Sequence, residues 1–231
     1  LDDNLLDVGL DEEGSPVSEA TLRATRHFIR EADGVIVSTP ALAARLRHLN
    51  SRIRVVPNAL DEHLFLAGAD NQGSAGRRAG GNESSALTLG YMGTMTHAAD
   101  LAMIIEPLRR VMMRFGEKVR FEIIGVRQDN RELQAWLGPH VRVLDPGEAV
   151  HYERFAAWFA RTARWDIGLA PLTDRPFNRF KSDIKLLDYG ILGIPGVFSR
   201  IGPYAESVTH EHTGLLVDNT PQDWYAALSR L

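Results

Sequence analysis

Lys181, Lys185 and Asp188 stand at i, i+4 and i+7 in the stretch KSDIKLLDYGILGIPG, residues 181–196. On a helix that spacing gathers them on one face. Ser182, just inside the stretch, is a suitable N-cap. A helix N-terminus presents free N–H groups and a partial positive charge, and the two lysines would add full charges beside it. This is a seat for an anion. One turn further in, the Asp188 carboxylate can accept two hydrogen bonds from a vicinal diol. Phosphate at the cap and a ribose diol a turn away describe a nucleoside diphosphate. The same residues also fit a plain solvated helix face with a weak Lys185–Asp188 pair, worth about 0.3 kcal/mol. In either case Ile184, Leu187 and Ile191 form the face expected to pack on the core.

A second group of candidates lies in GYMGTMTHAAD, residues 90–100. An apolar strand runs into Gly90 and Gly93 and a helix begins soon after. Glycine there allows a phosphate or sugar to approach the backbone, and equally makes a tight turn. Thr94 and His97 follow. His97 either donates to a phosphate or caps the helix. Gly125, ending the strand-like VRFEIIG, carries a similar signal. Asp2, Asp3 and Asp7 have the chemistry of metal ligands, but an acidic terminal segment is more often solvated, and the spacing in HEH (210–212) is too short for a zinc pair.

The elements that must position these groups alternate along the chain. Residues 15–33 read as a helix capped by Ser15 with Pro16 in its first turn. GVIVS (34–38) reads as a strand, Thr39-Pro40 as the start of a second helix, and IRVV (53–56) as a second strand, together a βαβ unit with parallel strands. Residues 67–85 hold five glycines, three serines and no apolar side chain larger than Ala, the composition of a flexible linker. Beyond it, strands at 86–93, 119–125, 141–145, 165–172, 196–199 and 214–217 alternate with helices at 98–115, 129–137, 151–163, 182–192 and from Pro221. That is an α/β architecture with a Rossmann-like, doubly wound parallel sheet, preceded by a partial second βαβ unit. The expected organisation is 1–66, 67–85 as linker, and 86–231.

Length and composition bound the possibilities. The 231 residues suffice for one large or two small domains, and 44% apolar with 24% charged residues is ordinary for a globular chain. A formal net charge of −4 does not suggest a nucleic acid partner. With no cysteine, thiolate catalysis and a disulfide scaffold are excluded. No apolar run reaches the roughly 20 residues of a membrane span, and the acidic start LDDNLLD has the wrong sign for a signal peptide. A cytoplasmic location is expected.

The motifs ADGVIVSTPALAARL, IRVVPNALDEHLF, LGYMGTMTHAADL, FEIIG, DIGLAPLTDRPFNRFKSDIKLLDYGILGIPG and GPYAESVTHEHTGLLV occur in an order that resembles family 4 glycosyltransferases of the GT-B fold, closest to bacterial members with an FNR-x-KSD-x-K segment. The resemblance runs from about residue 32 to the end. It implies a nucleotide-sugar donor domain at 86–231 and, at 1–66, the tail of an acceptor-side domain most of which is absent. It further implies a retaining transfer from a nucleoside-diphosphate sugar to a glycan, lipid-linked or small-molecule acceptor, of the kind used in bacterial polysaccharide biosynthesis, with no metal or other cofactor. No transmembrane segment is implied, although the full-length protein has scope for peripheral membrane association. The family's two acidic residues, eight positions apart, fall on Phe180 and Asp188, so the first carboxylate is missing and the second is a methylene shorter. Its basic pair falls near Thr94 and His97, and Arg179, Lys181 and Lys185 are expected to supply the diphosphate charges instead. Gly196 stands where a valine is common. No catalytic residue is assigned. A GT-B sugar-nucleotide 2-epimerase and a non-catalytic nucleotide- or protein-binding module remain the alternatives, and a fragment of this extent is expected to bind a donor without transferring sugar.

Overall fold

The computed structural model describes residues 1–7, 17–69, 86–93, 97–125, 130–149 and 151–230. The first elements are α1 (Glu19–Glu31), β1 (Val35–Val37), α2 (Pro40–Leu46) and β2 (Ile53–Val55). β1 and β2 pair in parallel, Val35 opposite Ile53 and Val37 opposite Val55. Ile29, Val35, Val37, Leu42, Ala43 and Leu46 form a small core of their own. Thr39 caps α2 as its sequence suggests, accepting from Leu42 N at 3.1 Å. In α1 the cap is Ser18, which accepts from Thr21 N; the cap expected at Ser15 lies outside the described residues.

The larger unit contains β3 (Leu87–Met92), α4 (Ala98–Phe115), β4 (Val119–Ile124), α5 (Asn130–Leu137), β5 (Val141–Leu144), α6 (Tyr152–Thr162), β6 (Ile167–Ala170), α7 (Ile184–Ile191), β7 (Gly196–Ser199), α8 (Gly202–Ser207), β8 (Leu215–Val217) and α9 (Pro221–Arg230). Its six strands lie in the order β5-β4-β3-β6-β7-β8 and every pair is parallel. Parallel sheets need cover on both faces. One face packs Leu89, Tyr91 and Phe121 against Leu101, Ile104 and Leu108 of α4, Leu133 of α5 and Trp224 of α9. The other packs Met92, Ile124 and Phe198 against Phe159 of α6, Tyr189 of α7 and Tyr204 of α8. The fold is the doubly wound parallel α/β fold that the alternating pattern predicts, with the short helix α8 added.

Between the two units runs α3 (Glu62–Ala69), and it packs on α6. Phe65 is 3% exposed and belongs to the larger unit's second core layer. The boundary expected at 66 is therefore crossed by a helix, which an apolar HLFLA run makes worthwhile: it buries its aromatic side chain on α6 before the glycine-rich stretch begins. Of the expected linker, 67–69 are helical and 70–85 lie outside the described residues.

Gly90, Gly168 and Gly196 are register partners on adjacent strands β3, β6 and β7. A Cβ on Gly90 would fall 1.7 Å from the Trp165 indole, on Gly168 2.6 Å from the Tyr189 ring, and on Gly196 2.3 Å from the Phe198 ring. The stripe of glycines is a bed for three aromatic rings. Gly90 thus makes room for Trp165, and Gly196 has a packing reason for not being valine.

Candidate functional site

Because all six strands are parallel, their C-terminal ends share one edge, where open α/β sheets take ligands. The turn after β3 delivers Gly93 and then His97, the residue before α4. The segment after β6 delivers Thr173 and Asn178, passes through a short 3-10 turn at Asn178–Phe180, and reaches Lys181 and α7. Tyr152 opens α6 after β5.

Lys185 and Asp188 face inward rather than to solvent, being 7% and 5% exposed. The face of α7 expected to be solvated or ligand-facing is its most buried one, with Tyr189, while Ile184, Leu187 and Ile191 are only half-buried. Hydrophobic spacing alone misassigned the faces because Tyr189 anchors the helix, its ring over Gly168 and its hydroxyl donating to Leu169 O at 2.9 Å. The Lys185 ammonium lies 5.6 Å from the centre of the Tyr91 ring and pairs with no carboxylate among the described residues. Burial pulls its pKa down to about 8, with Asp100 and Asp188 opposing the fall and Lys181 adding to it. Burial pushes the Asp188 carboxyl up to about 6, against the hydrogen bond from Tyr152 and the charge of Lys185. That bond, from the Tyr152 hydroxyl to Asp188 Oδ1, is 3.1 Å long.

Asp100 is 1% exposed and is the most heavily bonded carboxylate of the site. Its Oδ2 is 2.7 Å from His97 Nδ1. Its Oδ1 accepts from Thr173 N and Oγ1, each at 2.7 Å, and from Asn178 Nδ2 at 3.2 Å. Burial alone would push this carboxyl up, but the bonds from His97 and Thr173 outweigh it and hold it below its ordinary value. Burial, with the Lys185 charge second, lowers the His97 pKa to about 4 against the support of Asp100. At neutral pH the His97–Asp100 contact is therefore a hydrogen bond from a neutral imidazole, not an ion pair. His97 makes no side-chain cap to α4.

The remaining candidates divide. Lys181 is half-buried and its ammonium lies 3.3 Å from Asp3 Oδ1 and 4.6 Å from the centre of the Phe177 ring. Its charge, with that of Lys185, acts on His97, so the three share one electrostatic neighbourhood. Gly93 belongs there too, since a Cβ on it would meet the Tyr91 hydroxyl at 2.5 Å and His97 Cβ at 3.1 Å. Gly125 ends β4 with φ 82°, a left-handed conformation that favours glycine. Ser182 does not cap α7. Asp183 holds that position without a side-chain bond, and the Ser182 hydroxyl instead accepts from Asn58 Nδ2 at 2.8 Å. Arg179 is turned to the surface, where Asp174 grips its guanidinium at 2.7 and 3.1 Å. Phe180 packs against the small unit's core, and its carbonyl accepts from Thr39 Oγ1 at 3.1 Å. An apolar residue at 180 thus serves packing between the units. Thr94 lies outside the described residues.

Asp2, Asp3 and Asp7 are each met by a nitrogen, from Asn58, Lys181 and Arg45 respectively. In the HEH loop, His210 Nδ1 accepts from Leu216 N and Glu211 pairs with Arg230. The groups that sequence reasoning missed are Asp100, Thr173, Asn178 and Tyr152. The i, i+3 spacing of His97 and Asp100 was a readable signal; the reach of Tyr152 across 36 residues was not.

A family model described as glycosyl transferases group 1 matches residues 86–231. The chain belongs to the group 1 glycosyltransferases. No curated protein matches it in sequence. Among solved structures it is similar to Anabaena Alr3699/HepE in complex with UDP and glucose, at 15% identity and a TM-score of 0.63, over 98% of this chain and 60% of that one. It is also similar to a glycosyltransferase from Rickettsia africae, at 10% identity and 0.59, over 93% of this chain and 57% of that one. A third is an E. coli protein described as trehalose-6-phosphate bound with UDP-2-fluoro glucose, at 14% identity and 0.59, over 92% and 56%. At such identities the likeness shows the fold, the Rossmann-like GT-B architecture. The chain spans between 56% and 60% of the length of these three.

Proposed function

We propose that the edge formed by Gly93, His97, Lys181, Lys185 and Asp188 binds the nucleoside diphosphate of a sugar donor. The observation that carries the reading is Lys185, an ammonium 7% exposed with no carboxylate partner among the described residues. A buried unpaired charge is costly to hold unless an anion completes it. Lys181 and the N-terminal end of α7 add positive potential, and Asp188 one turn on suits a ribose diol. Relatives in fold hold UDP and glucose in one case and UDP-2-fluoro glucose in another, which supports the nucleotide class.

On this reading the full-length enzyme breaks the bond between the anomeric carbon and the diphosphate and forms one to an acceptor hydroxyl, whose proton leaves with the phosphate, with retention of configuration. Lysines rather than a metal ion meet the leaving charge. Transfer also requires an acceptor held against the anomeric carbon, a positioning effect worth several kcal/mol. This chain, at 60% of the length of the Anabaena protein, would bind donor and not transfer it.

Isothermal titration of UDP and GDP in EDTA, beside Lys185→Ala and Asp188→Ala, tests the proposal. Measurable binding that Asp188→Ala weakens by about 1–3 kcal/mol, and that Lys185→Ala both weakens and makes less salt-sensitive, is the expected result. Equal affinities in the three proteins remove both residues from the site.

A further inference from the structure

Within the donor-site reading, on which this inference rests, we infer that Asp100 is a positioning residue: its carboxylate fixes the tautomer of His97 and pins the segment that carries Lys181 to the edge of the sheet. An ionised carboxylate only accepts hydrogen bonds. The imidazole nitrogen 2.7 Å away, Nδ1, must therefore carry the proton, and Nε2 is left bare as an acceptor. Tyr91 steadies the same residue from β3, its hydroxyl donating to His97 O at 3.3 Å. The charged groups facing the imidazole are Asp100 on α4, Lys185 on α7 and Lys181 ahead of it.

The other oxygen does the second task. Thr173 and Asn178 both donate to Asp100 Oδ1, and Asn178 Nδ2 also donates to Thr173 O at 2.9 Å. Lys181 N in turn donates to Asn178 O at 3.3 Å. One carboxylate, 1% exposed, thus joins the start of α4, the segment after β6 and the approach to α7 that carries Lys181. The same charge is the foremost influence holding the Lys185 ammonium protonated against its burial.

Asp100→Asn is the informative variant. Its amide oxygen can still accept from Thr173 and Asn178, but its NH2 would face His97 and donate to Nδ1, driving the ring to the Nε2–H form. The 15N spectrum of the imidazoles, assigned through His97→Gln, reports the tautomer directly, and a residue acting only by packing would not change it. We expect Nδ1–H in the native protein, Nε2–H in Asp100→Asn at retained circular dichroism, and UDP or GDP affinity at least tenfold lower. Thr173→Val, which removes one bond to Oδ1 and leaves the His97 contact, should weaken binding severalfold with the tautomer unchanged. Nε2–H in the native protein overturns the inference even if Asp100→Asn does not fold. So does native-like affinity in Asp100→Asn. If the native protein binds neither nucleotide, the donor reading fails and takes with it the site Asp100 positions; if it binds and the variants match it, this inference alone fails.

Discussion

Lys185 and Asp188 are buried charges of opposite sign whose titrations are displaced toward each other, to about 8 and about 6. A sugar nucleotide, whose esterified phosphates titrate well below this range, should bind best between those values. On the donor reading proposed above, below about pH 6 Asp188 takes a proton and loses an acceptor for the diol, and above about pH 8 Lys185 loses the charge it would offer the diphosphate. Titrating UDP-glucose from pH 5 to pH 9 should give weakening affinity on both sides, and a flat profile would dissociate both groups from the ligand. The apo protein carries the other consequence. The Lys185 pKa is lowered by burial, so between about 8 and 10.5 the unfolded chain binds more protons, and stability rises with pH across that window. At pH 7 the full penalty is present. Lys185→Met should therefore stabilise the apo protein by roughly 1–3 kcal/mol in urea denaturation while weakening nucleotide binding, and a loss of stability would mean that the lysine is held by structure, not kept for a ligand. Such charges are only half legible in sequence: the spacing of Lys181, Lys185 and Asp188 was visible, but Tyr152 and Asp100 come to them from other elements, and no local pattern announces a partner on another strand end.

The elements were the most legible level, because strands and helices here follow periodicity and turn chemistry closely; α4 spans 98–115 as its apolar spacing predicts. What the pattern did not convey was why glycines interrupt the strands. Gly90 resembles a ligand-approach glycine when read alone, and only the sheet register shows that it lies beside Gly168 and Gly196 under a row of rings. The Trp165 indole above it is also tied by Nε1 to Glu122 Oε2 at 3.1 Å, so it cannot swing away freely. Gly90→Ala is an overpacking change at a rigid site and should destabilise the protein by about 1–3 kcal/mol. Adding Trp165→Leu should recover part of that loss, since the added methyl would then enter vacated space. Additive losses in denaturant titrations of the single and double variants would show that the two residues do not share this contact.

At the scale of the whole molecule, the small unit touches the candidate site through a seam of polar contacts. Asn58 donates to both Asp2 and Ser182, Thr39 donates to Phe180 O, and Asp3 holds Lys181. None of these was visible in the sequence, since they join residues between 56 and 178 positions apart. The last contact places a carboxylate of one unit on the cation that the proposed donor site would offer to the diphosphate. A diphosphate and Asp3 then compete for one ammonium, and the competition works in both directions: whatever weakens the Asp3 contact must favour the nucleotide by the same free energy. The pair is partly exposed, with side chains 15% and 38% accessible, so its strength lies on the scale of surface ion pairs, about 0.2–1 kcal/mol. Asp3→Asn should accordingly tighten UDP or GDP binding by about 1.4- to fivefold, with the largest gain at low salt, where the screened attraction between Lys181 and the phosphates is strongest. Titration at two ionic strengths measures it. Weaker binding in Asp3→Asn would mean that the carboxylate holds Lys181 in place for the ligand instead of contending for it, making the seam a support of the site and not a restraint upon it.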